Sequence, residues 1–148
     1  MKHMTKTHVV RKAIMLSAAF ALVFTTTAAL ADIDIYKGSS RWGKIESDGD
    51  VYKGSSRVGK IESDGDVYKG SNRVGKVESD GDIYKGSSRV GKIESDGDYY
   101  RGSNRVGKIE SDGDIYKGSN RWGKASGCSG YWCYRVVAAA LEFFDSGY

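Results

Sequence analysis

Two series of charged residues recur along this chain every 16 residues, and either could bind a charged ligand. In the first series, a Lys or Arg precedes a Gly-Ser-Ser or Gly-Ser-Asn segment, and an Arg follows it. Such cations bind phosphate or carboxylate groups, and a ring of them would bind through many weak contacts acting together. The alternative is that they are solvated turn residues without a ligand. The members of this basic series are Lys37, Arg41, Lys53, Arg57, Lys69, Arg73, Lys85, Arg89, Arg101, Arg105, Lys117 and Arg121.

The second series is acidic and invites a comparison with calcium sites. Asp-Gly-Asp occurs five times, from Asp48-Gly49-Asp50 to Asp112-Gly113-Asp114. Calcium requires six to eight oxygen ligands in a defined geometry. Neither the EF-hand spacing nor the nine-residue calcium repeat is present. An Asp-Gly hairpin turn accounts for the pattern, so we expect no metal site.

The remaining composition argues against catalysis. Both histidines, His3 and His8, lie near the start of the chain, so the repeats contain neither a Ser-His-Asp or Cys-His arrangement nor a histidine metal site. Near-identical repeats also give no position where one carboxylate differs from its neighbours, as acid–base catalysis requires. The exception is the tail, where we expect Arg135 and Glu142 to form ion pairs at helix ends or with rim charges. We therefore expect no enzymatic activity and no cofactor.

Residues 1–31 have the features of a secretory signal peptide. Four basic residues and an apolar run at 13–24 precede Ala29-Leu30-Ala31, which fits the small-x-small cleavage pattern. An uncleaved anchor is the alternative. Four of the 23 basic residues and none of the 19 acidic residues lie in this segment, so 19 of each remain. The rest of the chain is neutral, which predicts a periplasmic or secreted protein without a nucleic-acid partner.

The charged series belong to a 16-residue repeat with five complete copies from Asp34 and a sixth that ends at Lys124. Each copy reads Asp-x-Tyr-Lys/Arg-Gly-Ser-Ser/Asn-Arg-Val/Trp-Gly-Lys-Ile/Val-Glu-Ser-Asp-Gly. A unit this short cannot bury an apolar face alone, so it must pack against its neighbours. The short β-branched and aromatic runs between turn signals predict repeated β-hairpins over residues 32–124.

Two-residue turns at Ser55-Ser56 and Asp64-Gly65, the latter of type I′, would set the register of the hairpins. Alternation along the strands then predicts which residues face the core. The predicted core face carries Tyr52, Gly59, Ile61 and Tyr68. The predicted outer face carries Val51, Lys53, Val58, Lys60 and Glu62. A bulge in the Ser-Ser turn would alter this assignment.

Repeated hairpins place all Lys-Gly-Ser turns at one rim and all Ser-Asp-Gly turns at the other, so one rim is basic and one acidic. Trp42 and Trp122 replace the Val of the internal copies in the first and last copies. In a closed ring they would meet at the seam, whereas in a linear array they would cap two open edges. Closure removes exposed edge strands, so we predict a closed, shallow up-and-down barrel. The sequence does not decide whether this barrel has five or six hairpins.

The tail, residues 131–148, follows a linker of small residues at 125–130. Its apolar part, residues 131–144, is too short to span a bilayer. As a helix it would be about 21 Å long, which matches a six-residue strand of about 20 Å. We predict a helix that fills the barrel, the alternatives being a thirteenth strand or a membrane-surface segment. In an exported protein Cys128 and Cys133 should form a disulfide.

The Asp-Gly-Asp-x-Tyr-Lys-Gly-Ser and Arg-Val-Gly-Lys-Ile-Glu units, followed by an apolar tail, resemble the bacterial β-flower proteins. The resemblance covers Asp34 to about Phe144 and is nearest to the five-fold variant of that family. It implies a shallow barrel of hairpin petals around an apolar centre, broadly like the barrel around a helix in Tubby C-terminal domains. It implies no established activity and no catalytic residues. A weaker resemblance is to MORN repeats, which share Gly-Asp-x-Tyr-x-Gly in a longer unit.

The sequence is compatible with two functions. The first is a non-enzymatic envelope or secreted module that binds an anionic or amphiphilic partner, such as lipid headgroups, glycan or protein, through the basic rim and apolar centre. The second is a structural protein that self-associates by stacking the acidic rim of one copy on the basic rim of the next, with no small-molecule ligand.

Overall fold

The computed structural model describes residues 31–148, so the predicted leader, apart from Ala31, lies outside the described residues. Twelve strands precede one C-terminal helix in this part of the chain. The elements are β1 (Ile33–Lys37), β2 (Ser40–Ile45), β3 (Asp50–Lys53), β4 (Ser56–Ile61), β5 (Asp66–Lys69), β6 (Asn72–Val77), β7 (Asp82–Lys85), β8 (Ser88–Ile93), β9 (Asp98–Arg101), β10 (Asn104–Ile109), β11 (Asp114–Lys117), β12 (Asn120–Ser126) and α1 (Gly130–Phe144).

The strands form a closed antiparallel barrel in which each strand pairs with its neighbours in sequence and β1 pairs with β12. We call the six hairpins petals 1 to 6, from β1–β2 to β11–β12. The closed up-and-down barrel is therefore confirmed, and the number of petals is six. At the seam, the rings of Trp42 and Trp122 meet edge to face with centroids 6.4 Å apart, as predicted for a closed ring.

The turns of each petal differ by one residue from the turns predicted. Between petals 2 and 3, the amide of Glu62 donates to the carbonyl of Asp66, and Gly65 N–H donates to the carbonyl of Glu62. The loop therefore has three residues, 63–65, with Gly65 at φ +92°, as in a type I turn followed by a left-handed glycine. At the opposite rim the loop is Gly54-Ser55, which places Lys53 opposite Ser56.

A β-bulge in the second strand completes the register. Tyr52 lies opposite Arg57 and Val51 lies opposite Gly59, so that Val58 has no partner on β3. Gly59 and Ile61 face the core, as predicted. The prediction for the first strand of each petal is wrong: Val51 and Val67 are fully buried, whereas Tyr52 and Tyr68 lie half-buried on the outside. A slip of one residue moves every side chain of a strand to its other face, and the loop lengths cause that slip here.

The helix α1 lies inside the barrel. Six consecutive residues, Val136 to Leu141, are at most 3% exposed, and successive helical residues point in directions about 100° apart. The helix is therefore buried on all sides at this level, which excludes the thirteenth-strand and surface alternatives. Ala138, Ala139 and Ala140 allow its backbone to approach the surrounding ring of Ile and Val side chains.

The connection between barrel and helix is shorter than predicted, because β12 continues to Ser126 and leaves only residues 127–129. The disulfide between Cys128 and Cys133 is present, with the two Cα atoms 5.4 Å apart. It joins this connection to the first turn of α1 and determines where the helix enters the barrel. Within residues 31–148, no helix is both long and apolar enough to cross a membrane.

Candidate functional site: the basic rim

The basic series separates into two sets with different surroundings, where the sequence predicted a single ring. The first basic residue of each copy, two positions after the buried Val, Ile or Tyr, lies beside the end of α1, and we call these six residues the inner cations. The second lies outside on the barrel wall, and we call these six residues the outer arginines. The inner cations are Lys37, Lys53, Lys69, Lys85, Arg101 and Lys117. The outer arginines are Arg41, Arg57, Arg73, Arg89, Arg105 and Arg121.

The outer arginines form ion pairs with the first Asp of their own copy. In petal 3, Arg73 Nε and Nη2 donate to the two carboxylate oxygens of Asp66 over 2.6 and 2.8 Å. Lys76 Nζ lies 3.3 Å from the same carboxylate. The Arg73 hydrogen bonds hold the pKa of Asp66 below its ordinary value. The Asp–Arg pair recurs in all six petals, so the outer arginines have carboxylate partners within the wall.

The inner cations surround the C-terminal end of α1. Lys53 Nζ donates to the carbonyl of Phe144 over 3.2 Å, and Lys117 Nζ donates to the carbonyl of Gly147 over 2.8 Å. The last carbonyls of a helix carry partial negative charge, which nearby cations stabilise. The helix begins at the acidic rim, where the hydroxyl of Tyr131 donates to the carbonyl of Ile93. The charges of the two rims therefore complement the dipole of the enclosed helix.

Glu142 is the buried acceptor of three rim side chains. Its side chain is 6% exposed and accepts hydrogen bonds from Lys85 Nζ at 2.7 Å, Tyr99 Oη at 2.5 Å and Arg101 Nη2 at 2.6 Å. Burial alone would raise the pKa of Glu142, but these hydrogen bonds bring it below its ordinary value of 4.5. The expected pairing of Glu142 with rim charges is confirmed. Arg135 instead donates to the carbonyl of Val77 near the other rim.

The sequence signal for this cluster is a departure from the repeat, which sequence reasoning missed. Tyr99 stands where the other copies have Val or Ile, and Arg101 stands where they have Lys. Both exceptions occur in petal 5, and both contact Glu142. A departure from an otherwise regular repeat therefore marks the position where the asymmetric tail meets the ring.

Aromatic rings lie beneath five of the inner cations. Lys37 and Lys53 each lie 5.2 Å from the ring centroid of Trp122 and Trp42 respectively. Lys69 lies 5.6 Å from the ring of Phe144 and has no hydrogen bond or ion pair within residues 31–148. Lys85 and Arg101 lie over Phe143 and Tyr99. The rim thus combines positive charge with aromatic surface.

Carboxylates are fewer than cations at this rim. Within the described part of the chain, two carboxylate side chains contact the six inner cations: Glu142, and Asp145, which lies 4.0 Å from Lys37. The inner cations therefore retain an excess of positive charge. This excess, on one side of a neutral barrel, is the feature that most clearly points to a ligand.

Two cavities open at the basic rim, and their linings differ in charge. The larger, of about 640 Å³, lies beside petals 5 and 6, and Arg101, Lys117, Trp122 and Tyr148 contribute to its lining without any carboxylate side chain. The smaller, of about 390 Å³, lies beside petals 2 and 3, and Glu142 and Asp145 both line it. An anion would therefore meet less repulsion in the larger cavity.

The acidic rim is built from hydrogen-bonded turns. In five copies, a carboxylate oxygen of the first Asp of Asp-Gly-Asp accepts the backbone N–H of the second Asp, as between Asp48 and Asp50. This geometry is the Asp-turn that stabilises such loops. The described residues contain no group of three or more His, Cys, Asp or Glu positioned to hold a metal ion.

No family model, curated protein or solved structure matches this chain.

Proposed function

We propose that the protein is a non-enzymatic, exported binding module that contacts anionic or amphiphilic partners through its basic rim. The observation that carries this proposal is the excess of six inner cations over two carboxylate side chains, above aromatic rings. Since the six cations belong to one rim, a flat anionic surface can contact several of them together. Each Lys or Arg near an anionic membrane contributes about 1 kcal/mol.

The barrel centre is a poorer binding surface than the sequence predicted. The helix fills it, and the residues from Val136 to Leu141 are buried. An amphiphilic partner would therefore reach only the aromatic residues at the rim. The six-petalled barrel around an apolar centre also supports, as a proposal, the resemblance to the bacterial β-flower proteins. The sequence of residues 1–31 supports export to the periplasm or the medium.

Vesicle co-sedimentation tests the proposed function. The purified protein should bind vesicles that contain phosphatidylglycerol but not pure phosphatidylcholine vesicles, and added salt should release it. Lys69→Gln removes an inner cation that lacks a hydrogen bond, and it should weaken binding about fivefold. Lys76→Gln removes the same charge from the outer wall of the same petal and should change binding little. Failure of the wild-type protein to bind anionic vesicles at low salt contradicts the proposal.

A structural, self-associating role is the second candidate, and the charge separation between the rims favours it. The Glu and Asp residues of the Ser-Asp-Gly turns lie at the rim opposite the inner cations, although residues 32–148 are neutral in total. Head-to-tail contacts between such rims need not close and would form stacks. Light scattering at low salt should then show a mass that grows with protein concentration. A constant monomer mass under these conditions excludes this role.

A further inference from the structure

The cavity beside petals 5 and 6 has an aromatic corner formed by Trp122 and Tyr148, whereas Phe143 and Phe144 line the cavity beside petals 2 and 3. The rings of Trp122 and Tyr148 meet at 90° with centroids 5.6 Å apart, and Val106 adds an aliphatic wall. Aromatic rings pack favourably both face to face with an offset and edge to face. The ring of Tyr148 is 5% exposed and stacks on Tyr99, so a flat ring placed in this corner would contact the more exposed Trp122.

Tyr148 is a fixed part of this corner. Its hydroxyl donates to the carbonyl of Tyr116 over 2.7 Å, and its side chain is almost completely buried. A side chain that is fixed by a hydrogen bond and by packing needs little reorganisation when a ligand binds. The cavity volume of about 640 Å³ also lies in the range that small-molecule sites occupy.

Three cations line the same cavity, and their charge is incompletely neutralised. Within residues 31–148, Lys117 donates to the neutral carbonyl of Gly147 and has no carboxylate partner. Arg101 shares the carboxylate of Glu142 with Lys85, and its Nη1 also donates to the main-chain oxygen of Tyr148 over 3.0 Å. Arg121 is paired with Asp114, as the other outer arginines are with the first Asp of their own copies. Of the three cations in the lining, Lys117 therefore retains its charge most fully and would attract an anion.

We propose that this cavity binds a small carboxylate with an aromatic body, its ring against Trp122 and Val106 and its carboxylate toward Lys117. This inference rests on the proposed function, because it makes the basic rim the binding surface and names the ligand class of one position on it. The smaller cavity is a poorer binding site for this ligand, since Glu142 and Asp145 line it and would repel a carboxylate.

Nuclear magnetic resonance of ¹⁵N-labelled protein with 2-naphthoate tests this proposal. The chain has three tryptophans, and Trp→Phe variants would assign their indole N–H signals. Trp122 lines the cavity, whereas Trp132 lies in the first turn of α1 at the acidic rim. Adding 2-naphthoate should shift the Trp122 signal and leave the Trp132 signal in place. The neutral analogue 2-naphthylmethanol should bind at least about tenfold more weakly, since it lacks the charge that Lys117 contacts.

A matched pair of variants separates this site from the rim as a whole. Lys117→Gln should weaken naphthoate binding about tenfold. Lys69→Gln removes the equivalent cation beside the smaller cavity and should leave naphthoate binding unchanged while it weakens vesicle binding. Equal effects of the two variants, equal binding of the acid and the alcohol, or an unmoved Trp122 signal would overturn the proposal.

The vesicle experiment distinguishes failure of the site from failure of the proposed function. Anionic-vesicle binding without a naphthoate-dependent shift at Trp122 removes the cavity site and leaves the rim function standing. A protein that binds neither vesicles nor naphthoate contradicts both.

Discussion

Glycine has two different roles within a single petal. A Cβ atom on Gly59 would lie 2.2 Å from the carbonyl oxygen of Tyr68 and 2.5 Å from the ring of Phe144, so there is no space for a side chain at this position. Gly54 has no atom within 4 Å of such a Cβ, but its φ of +59° is unfavourable for other residues. The first glycine is required by close packing and the second by backbone conformation.

Alanine substitution should separate these two roles. Gly59→Ala forces the neighbouring strand and Phe144 to move, and should lower the free energy of unfolding by about 3 kcal/mol. Gly54→Ala places a side chain on a left-handed backbone without a steric clash, and should lower the free energy of unfolding by about 1 kcal/mol. Urea unfolding of both variants measures the difference. Equal losses would mean that the backbone approach at Gly59 is not tight.

The Asp–Arg pairs predict how stability depends on pH. Hydrogen bonds from the outer arginines lower the folded-state pKa of Asp50, Asp66, Asp82, Asp98 and Asp114, in the last case to about 2. A carboxyl with a lowered folded-state pKa stabilises the fold above its unfolded-state pKa. This stability is lost as the pH falls through the folded-state value.

Acid should therefore destabilise the barrel below the ordinary aspartate pKa of 3.8 and down to about 2. Urea unfolding at a series of pH values measures the effect. Each pair is partly exposed and contributes little alone, so the loss should be gradual and shared among the petals. Asp66→Asn removes one such group and should reduce the pH dependence. A free energy of unfolding that stays constant across this range would contradict the role of these pairs.

At the scale of elements, a nearly six-fold ring encloses a helix that has no such symmetry. Six rotational positions of α1 would be nearly equivalent if all petals were identical. Tyr99 and Arg101 break this equivalence, because only petal 5 offers a phenol and a guanidinium to Glu142. Buried polar groups can select one arrangement among similar ones even where they add little stability, and we expect that role here.

If the two exceptional residues of petal 5 are replaced by those of the other petals, α1 should no longer adopt a single rotational position in the barrel. In the double variant Tyr99→Val/Arg101→Lys, Glu142 would find a Lys in every petal, and several rotational positions should be populated. The expected result is multiple or broadened indole N–H signals for Trp132, with a lower free energy of unfolding. The matched control Val67→Ile places the residue of petals 4 and 6 in petal 3 and should keep one set of signals. A single sharp set in the double variant would show that packing alone sets the rotation.

The repeat predicted the elements well and the register poorly. The strands, closed ring, tryptophan seam and central helix followed from the repeat spacing, the seam substitutions and the length of the apolar tail, and the disulfide followed from the close pair of cysteines. The Asp-Gly pair, however, fits both a two-residue turn and the last two positions of a three-residue loop. The hydrogen bond from the Glu62 amide to the Asp66 carbonyl selects the second. A local motif does not reveal this choice, which determines the face of the Tyr that follows each Asp-Gly-Asp, whereas the Gly54-Ser55 loop determines that Arg57 lies opposite Tyr52.

At the scale of the whole molecule, the direction of α1 matches the charges of the two rims. The helix begins near the Ser-Asp-Gly turns and ends among the inner cations. Sequence reasoning predicted one basic and one acidic rim, either as solvated turns or as surfaces for partners, but did not relate them to the direction of the helix. The structure shows that part of this charge stabilises the ends of the enclosed helix. What is left for a partner is the excess at the basic rim, which depends on contacts between the tail and six separate hairpins.

The number of petals and the width of the helix should depend on each other. The diameter of a barrel grows with its number of strands, and a helix with its side chains is about 10–12 Å wide. Deleting residues 66–81 removes one complete repeat and leaves ten strands. The smaller ring should not close around α1, although every remaining petal keeps its own sequence. We therefore expect this variant to lose its near-ultraviolet circular dichroism and to bind a dye that reports exposed apolar surface.

A control of unchanged length separates ring size from the loss of particular residues. The double variant Asn72→Ser/Val77→Ile converts petal 3 into a copy of petal 2, since the two repeats differ only at these positions. It retains twelve strands and should unfold cooperatively, close to the wild-type protein. If the deletion variant also unfolds cooperatively and binds no dye, then ten strands can accommodate the helix. Petal number would in that case not be set by the width of α1, and the closed ring would owe its size to the hairpin geometry alone.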